Sequence, residues 1–314
     1  MKSPELPPLA LIAGPTASGK SDLAVRLGQR LEKLGKRAVV LNADSAQVYA
    51  DLRVLSARPG EDEMGGIEHR LFGTWDGATA CSAADWAAAA KREIALLHAE
   101  GAIPILCGGT GLYLRTLLEG IAPVPDIDPL IRNEVRSLAQ QDARAALERE
   151  DPEAALRLAP ADVARTTRAL EVVRSTGRTL KAWQGDKEGG IGGDVSLFPL
   201  VLLPEREWLY ERCDRRFLTM LVNGAVEEVE ALLARRIDTS LPVMRAIGVP
   251  EITGFLQGQL SRDECMLAGQ RATRQYAKRQ FTWFRRQPPV SWTRDDNKTI
   301  DEYDIFVSLL RELN

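Results

Sequence analysis

An α/β fold, with a parallel sheet core, a helical insertion and a helical C-terminal region, is what three features of this 314-residue sequence predict. Short apolar runs alternate with helical periodicity through the first third, as βαβ units require. The run Gly14-Pro15-Thr16-Ala17-Ser18-Gly19-Lys20-Ser21 falls at the first strand-to-helix junction. A proline-punctuated stretch of purely helical pattern then separates that third from a further strand-like run at 198–203.

Taken in order, Leu9 to Ala13 reads as a buried strand after the Pro7-Pro8 stop. A helix is expected from Ser21, because Leu23, Leu27, Leu31 and Leu34 recur at helical spacing, and Gly35 ends it. Ala38 to Asn42 forms the second strand, closing on Ala43-Asp44-Ser45. Ser82 and Asp85 have capping-box spacing, and Trp86, Ala90, Ile94 and Leu97 continue one helical face behind them. Gly101 stops that helix, and Ile103 to Cys107 gives another strand, with Pro104 tolerable near its start. Gly108-Gly109-Thr110-Gly111 turns into a helix carrying Leu112, Leu114, Leu117 and Leu118.

Pro123, Pro125 and Pro129 mark a boundary, and the pattern beyond is helical to about Trp183. The glycine-rich run 185–193 reads as a flexible return loop. After Pro204, helices are expected at 207–222, 225–236, 243–256 and 261 to about 286, with little strand signal. The expected division is 1–122 as the first part of the core, 123–195 as a helical insertion, and 196–314 as core completion with basic C-terminal helices.

Composition narrows the chemistry. Lys and Arg number 41 against 44 Asp and Glu, a net charge of −3, so the molecule as a whole is no general polyanion binder. The four cysteines contain no C-x-x-C pair, which points to buried free thiols in a reducing cytoplasm instead of a zinc ribbon or disulfide framework. His69 and His98 are the only histidines, excluding a multi-histidine metal site. No apolar run approaches the ~18 residues of a membrane span, and Met1-Lys2-Ser3-Pro4 lacks a signal-peptide core. A cytoplasmic protein with no membrane contact is expected.

Residues 14–21 match G-x-x-x-x-G-K-[ST] in full, between a buried strand and an amphipathic helix, which makes the expected core P-loop NTPase-like. Glycines let backbone N–H groups curl around phosphate oxygens, and the helix N-terminus adds partial positive charge. Lys20 would reach a terminal phosphate and the Ser21 hydroxyl would ligate Mg²⁺. The loop alone does not say whether it holds ATP, GTP or a non-nucleotide diphosphate. Asp44 follows a strand whose carboxyl end faces the same crevice. It would hold Mg²⁺ through water, act as a general base, or merely cap the turn that follows. Gly108 to Gly111 also lies at a strand end, where it either lines the crevice with Thr110 or simply turns the chain.

Two local stretches are basic. From Cys265 to Arg294 there is no acid, while Arg271, Arg274, Lys278, Arg279, Arg285, Arg286 and Arg294 occur, interleaved with Tyr276, Phe281, Trp283 and Phe284. The plainer reading is a solvated face over core aromatics. Arg165, Arg168, Arg174, Arg178 and Lys181 stand against only Glu171 in the insertion. Two such faces on an acidic chain favour a bound polyanion. With the phosphate loop and crevice carboxylate, they predict an enzyme acting on a phosphorylated small molecule and on nucleic acid. An ATP-dependent P-loop kinase and an RNA-binding ATPase switch are the alternatives.

These residues, in order over nearly the whole chain, resemble the tRNA dimethylallyltransferase (tRNA isopentenyltransferase) family. The matching segments are 14–21, Ala43-Asp44-Ser45-Ala46-Gln47-Val48-Tyr49, Cys81 to Trp86, Gly108 to Leu114, Arg168 to Val172, and Lys278-Arg279-Gln280-Phe281-Thr282-Trp283-Phe284-Arg285. The resemblance implies that Gly14, Pro15, Thr16, Ala17, Ser18, Gly19, Lys20 and Ser21 hold dimethylallyl diphosphate rather than ATP, with Mg²⁺ at Ser21. The prenyl group would pass to the exocyclic amine of adenosine 37 in the anticodon stem-loop of tRNA. Asp44 is then the general base, with Lys20 and Arg216 as the other catalytic residues. Asp44, Ser45, Ala46, Gln47, Thr110, Arg132, Arg165, Arg168, Arg245, Arg274, Lys278, Arg279 and Arg285 match tRNA-contacting positions, and a monomer is expected.

The chain departs from the family at Phe72-Gly73, after His69-Arg70-Leu71, where a hydrophobic residue and then Asp are usual. It also lacks the usual tyrosine in Gly248-Val249-Pro250-Glu251. No zinc-finger extension is expected. A prenyltransferase of free adenine nucleotides is the nearest rival, and the basic helix argues against it, because a mononucleotide needs no such surface.

Overall fold

The computed structural model describes residues 6–296 and Phe306. They fall into two compact units, one running to Leu117 and resuming at Gly192, the other Leu118–Ile191.

The first unit holds a parallel sheet of β1 (Pro8–Ala13), β2 (Ala38–Asn42), β3 (Glu68–Arg70), β4 (Ile103–Gly108), β5 (Ser196–Leu202) and β6 (Thr293–Asp295), in the order β3-β2-β4-β1-β5-β6. β2 and β4 are buried along their whole length and β1 beyond its first residue, as the unbroken apolar runs require of strands covered on both faces. Ala13 pairs with Gly108 and with Val201, and Asn42 pairs with Cys107. The four central strands therefore end within a residue or so of one another, and the segments that follow them emerge along one carboxyl edge.

β3 and β6 were not expected. Each is three residues long, at a sheet margin, and built from Glu68-His69-Arg70 or Thr293-Arg294-Asp295, so neither carries an apolar run to read.

Helix Lys20–Lys33 lays Leu23, Leu27 and Leu31 on the sheet, where Ile12, Val40, Ile105 and Phe306 complete the core. Helix Ala83–Ala99 begins at a capping box in which Ser82 and Asp85 satisfy each other's backbone N–H. Trp86, fully buried in that helix, stacks on Tyr113 with ring centroids 4.5 Å apart. The C-terminal helices are Arg206–Val222, Ala225–Ala234, Val249–Leu256 and Arg262–Arg286. The expected helix at 243–256 is broken: a 3-10 turn, Pro242–Arg245, precedes it, and Gly248 at φ 96° cannot lie within a helix.

The Gly108–Gly111 turn has a packing reason for its glycines. A Cβ at Gly108 would lie 2.1 Å from the carbonyl carbon of Ala43, one at Gly109 2.3 Å from Nε2 of Gln280, and one at Gly111 2.4 Å from the Trp283 ring. Because the first obstacle is backbone, Gly108→Ala is expected to cost at least the ~1–3 kcal/mol typical of overpacking. A urea midpoint that falls with an unchanged slope is the expected observation.

The second unit is helical and has its own core, in which Val135, Leu147, Ala155 and Leu170 meet. Its helices are Pro129–Ser137, Gln140–Glu150, Pro152–Arg157, Val163–Thr176 and Leu180–Gln184. The glycine-rich return loop is tied down, not free: Ile121 and Glu188 exchange two backbone hydrogen bonds of 3.0 Å, and a Cβ at Gly190 would meet the Leu118 carbonyl at 2.5 Å. All four cysteines are free and buried. No helix among the described residues is long and apolar enough to cross a membrane.

Candidate functional site

The phosphate loop runs from the end of β1 into helix Lys20–Lys33. At Gly14 a Cβ would lie 2.5 Å from the Leu202 carbonyl oxygen, which fixes glycine there. Ala17 takes the left-handed conformation at φ 63°, and Arg212 holds it by donating to its carbonyl at 2.9 Å. Thr16 is pinned twice, its N–H donating to Gln280 Oε1 at 2.8 Å and its hydroxyl accepting from Arg216 at 3.2 Å. Lys20, 8% exposed, donates to the Pro15 carbonyl at 2.7 Å. Burial holds both the Lys20 ammonium and the Arg216 guanidinium below their ordinary values, with the Asp44 carboxylate pulling the other way on each. Two poorly solvated cations beside one another favour an incoming anion.

Asp44 follows β2 and is set by Asn42, which is fully buried. Asn42 Oδ1 accepts from the Asp44 N–H at 2.8 Å, and its amide donates to the carbonyls of Asp44 and Leu71 at 3.1 and 3.0 Å. Trp86 donates to the Asn42 carbonyl at 2.9 Å. One carboxylate oxygen of Asp44 accepts from the Ala46 N–H at 3.0 Å, so the capping reading holds for that oxygen. The other accepts no hydrogen bond among the described residues and is left to take a proton.

Beside Asp44, the Ser45 N–H donates to Thr110 Oγ1 at 2.9 Å, and the two hydroxyls are 3.1 Å apart. Tyr276 lies close to Thr110, Ser45 and Asp44; burial, with the Asp44 charge nearby, raises its phenol well above the ordinary value and keeps it neutral. Burial likewise pushes the Cys107 and Cys213 thiols up to about 11, so neither is a nucleophile.

Thr16, Lys20, Asp44, Ser45, Cys107, Arg216 and Tyr276 line a cleft of about 310 Å³, part of whose wall is apolar, from Leu52, Leu55, Phe217, Met220 and Ile247. A second cleft, of about 600 Å³, shares Lys20, Ser21, Arg216 and Met220 with the first and adds Arg53, Arg58 and Arg212. The loop bearing Arg53 is clamped by Glu228, whose carboxylate accepts the N–H groups of Arg53, Val54 and Leu55 at 2.5, 2.8 and 2.9 Å.

Of the residues singled out in the sequence, Thr16, Lys20, Ser21, Asp44 to Gln47, Arg216, Arg245 and Arg279 line the first cleft. Two of these, Gln47 and Arg245, are also engaged internally. The Gln47 amide donates to the carbonyls of Ser56 and Ala57 at 3.1 and 2.8 Å, and Arg245 donates to the Ser240 carbonyl. Arg274 is paired with Asp214. Arg271, Lys278 and Arg285 are exposed, with no ion pair among the described residues, while Arg279 lies over the Tyr276 ring at 5.7 Å.

The basic face expected in the second unit is largely compensated. Arg174 pairs with Glu134 and Glu150 at 2.7 Å each, Arg178 with Asp186 at 2.6 Å, and Lys181 with Glu153. Arg165 meets Asp162 at 3.1 Å, and Arg168 meets the buried Glu171 at 3.7 Å, which also binds Arg136 at 2.8 Å. Most of these acids lie outside the 165–181 window, on elements that folding brings alongside. Arg132 lies on helix Pro129–Ser137 of the same unit, its Nε buried without a hydrogen-bond partner among the described residues.

Asn42, Arg212, Glu228, Tyr276 and Gln280 organise the site and were missed as site residues. Only Tyr276 and Gln280 carried any signal, by falling in the basic stretch.

A family model described as IPP transferase matches residues 47–287, beginning beyond the phosphate loop. The tRNA dimethylallyltransferase of Erythrobacter litoralis is 69% identical over 290 residues, 92% of this chain and 92% of that one. That of Zymomonas mobilis is 49% identical over 308 residues, 97% of each. Among solved structures, the full-length tRNA isopentenylpyrophosphate transferase of Bacillus halodurans superposes with a TM-score of 0.70 at 31% identity, covering 98% of this chain and 96% of that one. A eukaryotic dimethylallyltransferase acting on tRNA gives a TM-score of 0.74 at 27% identity, covering 88% and 69%.

Proposed function

The chain belongs to the IPP transferase family, and from that membership and the cleft we propose that it is a tRNA dimethylallyltransferase, moving the dimethylallyl group of dimethylallyl diphosphate to the exocyclic N6 amine of adenosine 37. The observation that carries this reading is the convergence of Lys20, Arg216 and Asp44 on one partly apolar cleft at the carboxyl edge of the sheet.

The amine of adenine is a weak nucleophile, so the rate must come from ionising the allylic donor. Its C–O bond breaks with the electron pair leaving on the diphosphate. Lys20, Arg216 and the loop backbone stabilise that departing charge where water is largely excluded. The amine lone pair forms the new C–N bond, and the free oxygen of Asp44 takes the proton released from nitrogen. Leu52, Leu55, Phe217 and Met220 offer the apolar wall that the alkyl group needs. The acceptor base must leave its stack to reach this depth, and the bonded pair Ser45 and Thr110 stands beside the carboxylate, with the neutral Tyr276 phenol close by.

The Ser21 hydroxyl lies at the helix start and lines both clefts. No group of three metal-ligating acidic, cysteine or histidine side chains occurs among the described residues. A hydroxyl oxygen at the phosphate loop is a hard donor that fits Mg²⁺, which keeps several waters and takes other ligands from the phosphate oxygens of its substrate. Ser21 would hold the ion, which when bound neutralises diphosphate charge.

The test is to incubate the chain with labelled dimethylallyl diphosphate and tRNA, AMP or ATP, with and without Mg²⁺. Label is expected in tRNA, and label confined to a mononucleotide would reject the reading. A second expectation concerns the exposed cations of helix Arg262–Arg286. Lys278→Ala and Arg285→Ala should each flatten the salt dependence of tRNA binding by about one phosphate contact. Arg274→Ala, whose charge Asp214 already compensates, should leave the slope near that of the unaltered chain. Equal slopes for all three would mean that the helix does not meet the phosphate backbone.

A further inference from the structure

We propose that Gln280 is a positioning residue for the donor site, holding the phosphate loop in register from within the cationic helix; the proposal rests on the assignment of the donor diphosphate to that loop. Gln280 is 6% exposed. Its Oε1 accepts from the Thr16 N–H at 2.8 Å, and its Nε2 donates to the Gly109 carbonyl at 2.8 Å. One side chain thus joins the segments that follow β1 and β4, and it comes from helix Arg262–Arg286, more than 170 residues further along the chain.

The chemistry of the position is demanding. It needs an acceptor facing Thr16 and a donor facing Gly109, side by side in a buried site, and an amide supplies both at once. Gly109 makes the approach possible, because a Cβ there would lie 2.3 Å from Nε2. In the peptide that joins Pro15 to Thr16, Lys20 holds the carbonyl at 2.7 Å and Gln280 holds the N–H at 2.8 Å, so losing the Gln280 bond frees one end of that plane. Peptide orientation decides where the N–H groups of a phosphate cradle point, so a loop released at Thr16 binds diphosphate less well. Lys278 and Arg279 precede Gln280 on the exposed side of the helix, so acceptor binding there leaves the amide untouched.

The variants Gln280→Met, which removes both bonds at similar volume, and Gln280→Glu, which keeps the acceptor, separate this role from simple packing. In the full chain, calorimetry with inorganic pyrophosphate reads the donor site without turnover. Gln280→Met should weaken pyrophosphate binding and raise the donor KM by roughly tenfold, while the tRNA KM and its salt slope stay within about twofold. Gln280→Glu should show a loss, relative to the unaltered chain at the same pH, that shrinks as pH falls from 8 towards 5.5. A protonated carboxyl places a hydroxyl donor beside a carbonyl acceptor as the amide does, and the Gly109 carbonyl opposite favours that form. Unchanged pyrophosphate affinity in the Glu variant, or a deficit that does not vary with pH, overturns the proposal, as does a tRNA KM that moves while the donor KM does not. The Glu variant decides the matter if the Met variant fails to fold. Absence of prenyl transfer by the unaltered chain would reject the activity and leave the pyrophosphate comparison standing.

Discussion

Asp44→Asn is expected to slow single-turnover prenyl transfer by ~10²–10⁴-fold, the usual worth of a positioned base, with both substrates still bound. The substitution is close to isosteric, and the residue's surroundings are built to hold it in place. Its backbone N–H is received by Asn42, and the Asn42 amide grips the carbonyls of Asp44 and Leu71. An amide oxygen can still accept from the Ala46 N–H, so the turn should survive. What an amide lacks is the second oxygen able to take a proton. The electrostatics sharpen the expectation. Asp44 is the carboxylate that favours the charged forms of both Lys20 and Arg216. Removing its charge leaves those cations with less competition for an anion, so pyrophosphate should bind at least as tightly. Rapid quench with labelled donor measures the step, and an unchanged rate would show that the proton leaves by another route.

Lys20→Met should be the other severe change, lowering kcat/KM for the donor by ~10²–10³-fold, the range typical of losing one group aimed at developing charge. Lys20 is buried under the phosphate loop and has its charge penalised by desolvation, a cost that the departing diphosphate offsets. The loss should fall more on kcat than on pyrophosphate affinity, since the charge on the bridging oxygen exists only once the bond is breaking. Lys20→Arg should not restore activity, because a planar guanidinium does not fit a buried point-charge position at the Pro15 carbonyl. Retention of more than about a tenth of kcat/KM by the Met variant would place the catalytic charge elsewhere, with Arg216, which lines the same cleft, as the next candidate.

The central strands and the phosphate loop were legible because their signals are local. Leu9 to Ala13, Ala38 to Asn42 and Ile103 to Cys107 are contiguous apolar runs, and each is a strand within one or two residues of its expected limits. The Ser82 capping box and the Leu23-Leu27-Leu31 stripe are equally short-range. Asp44 could be placed at the crevice because a parallel sheet sends every strand's carboxyl end to one edge. Features that depend on distant chain segments were not legible. Nothing near Gln280 announces that its amide will span Thr16 and Gly109, and nothing near Glu228 announces three backbone donors from residues 53–55. The same blindness misread the second unit, where a count over 165–181 saw arginines and missed Glu134, Glu150, Glu153 and Asp186. Charge along the chain is not charge across a surface.

The strand order has a cost during synthesis. β1 lies between β4 and β5, so its second neighbour, Ser196–Leu202, leaves the ribosome some 180 residues after β1 itself. Until then the nascent sheet displays an apolar, unpaired margin along Leu9 to Ala13, the sort of template on which other chains aggregate. The residues made in that interval include the 118–191 unit, whose helices carry their own core and do not need the sheet to be finished. Placing a locally closing, fast-forming module in the gap keeps the intervening chain from adding a second sticky surface to the first.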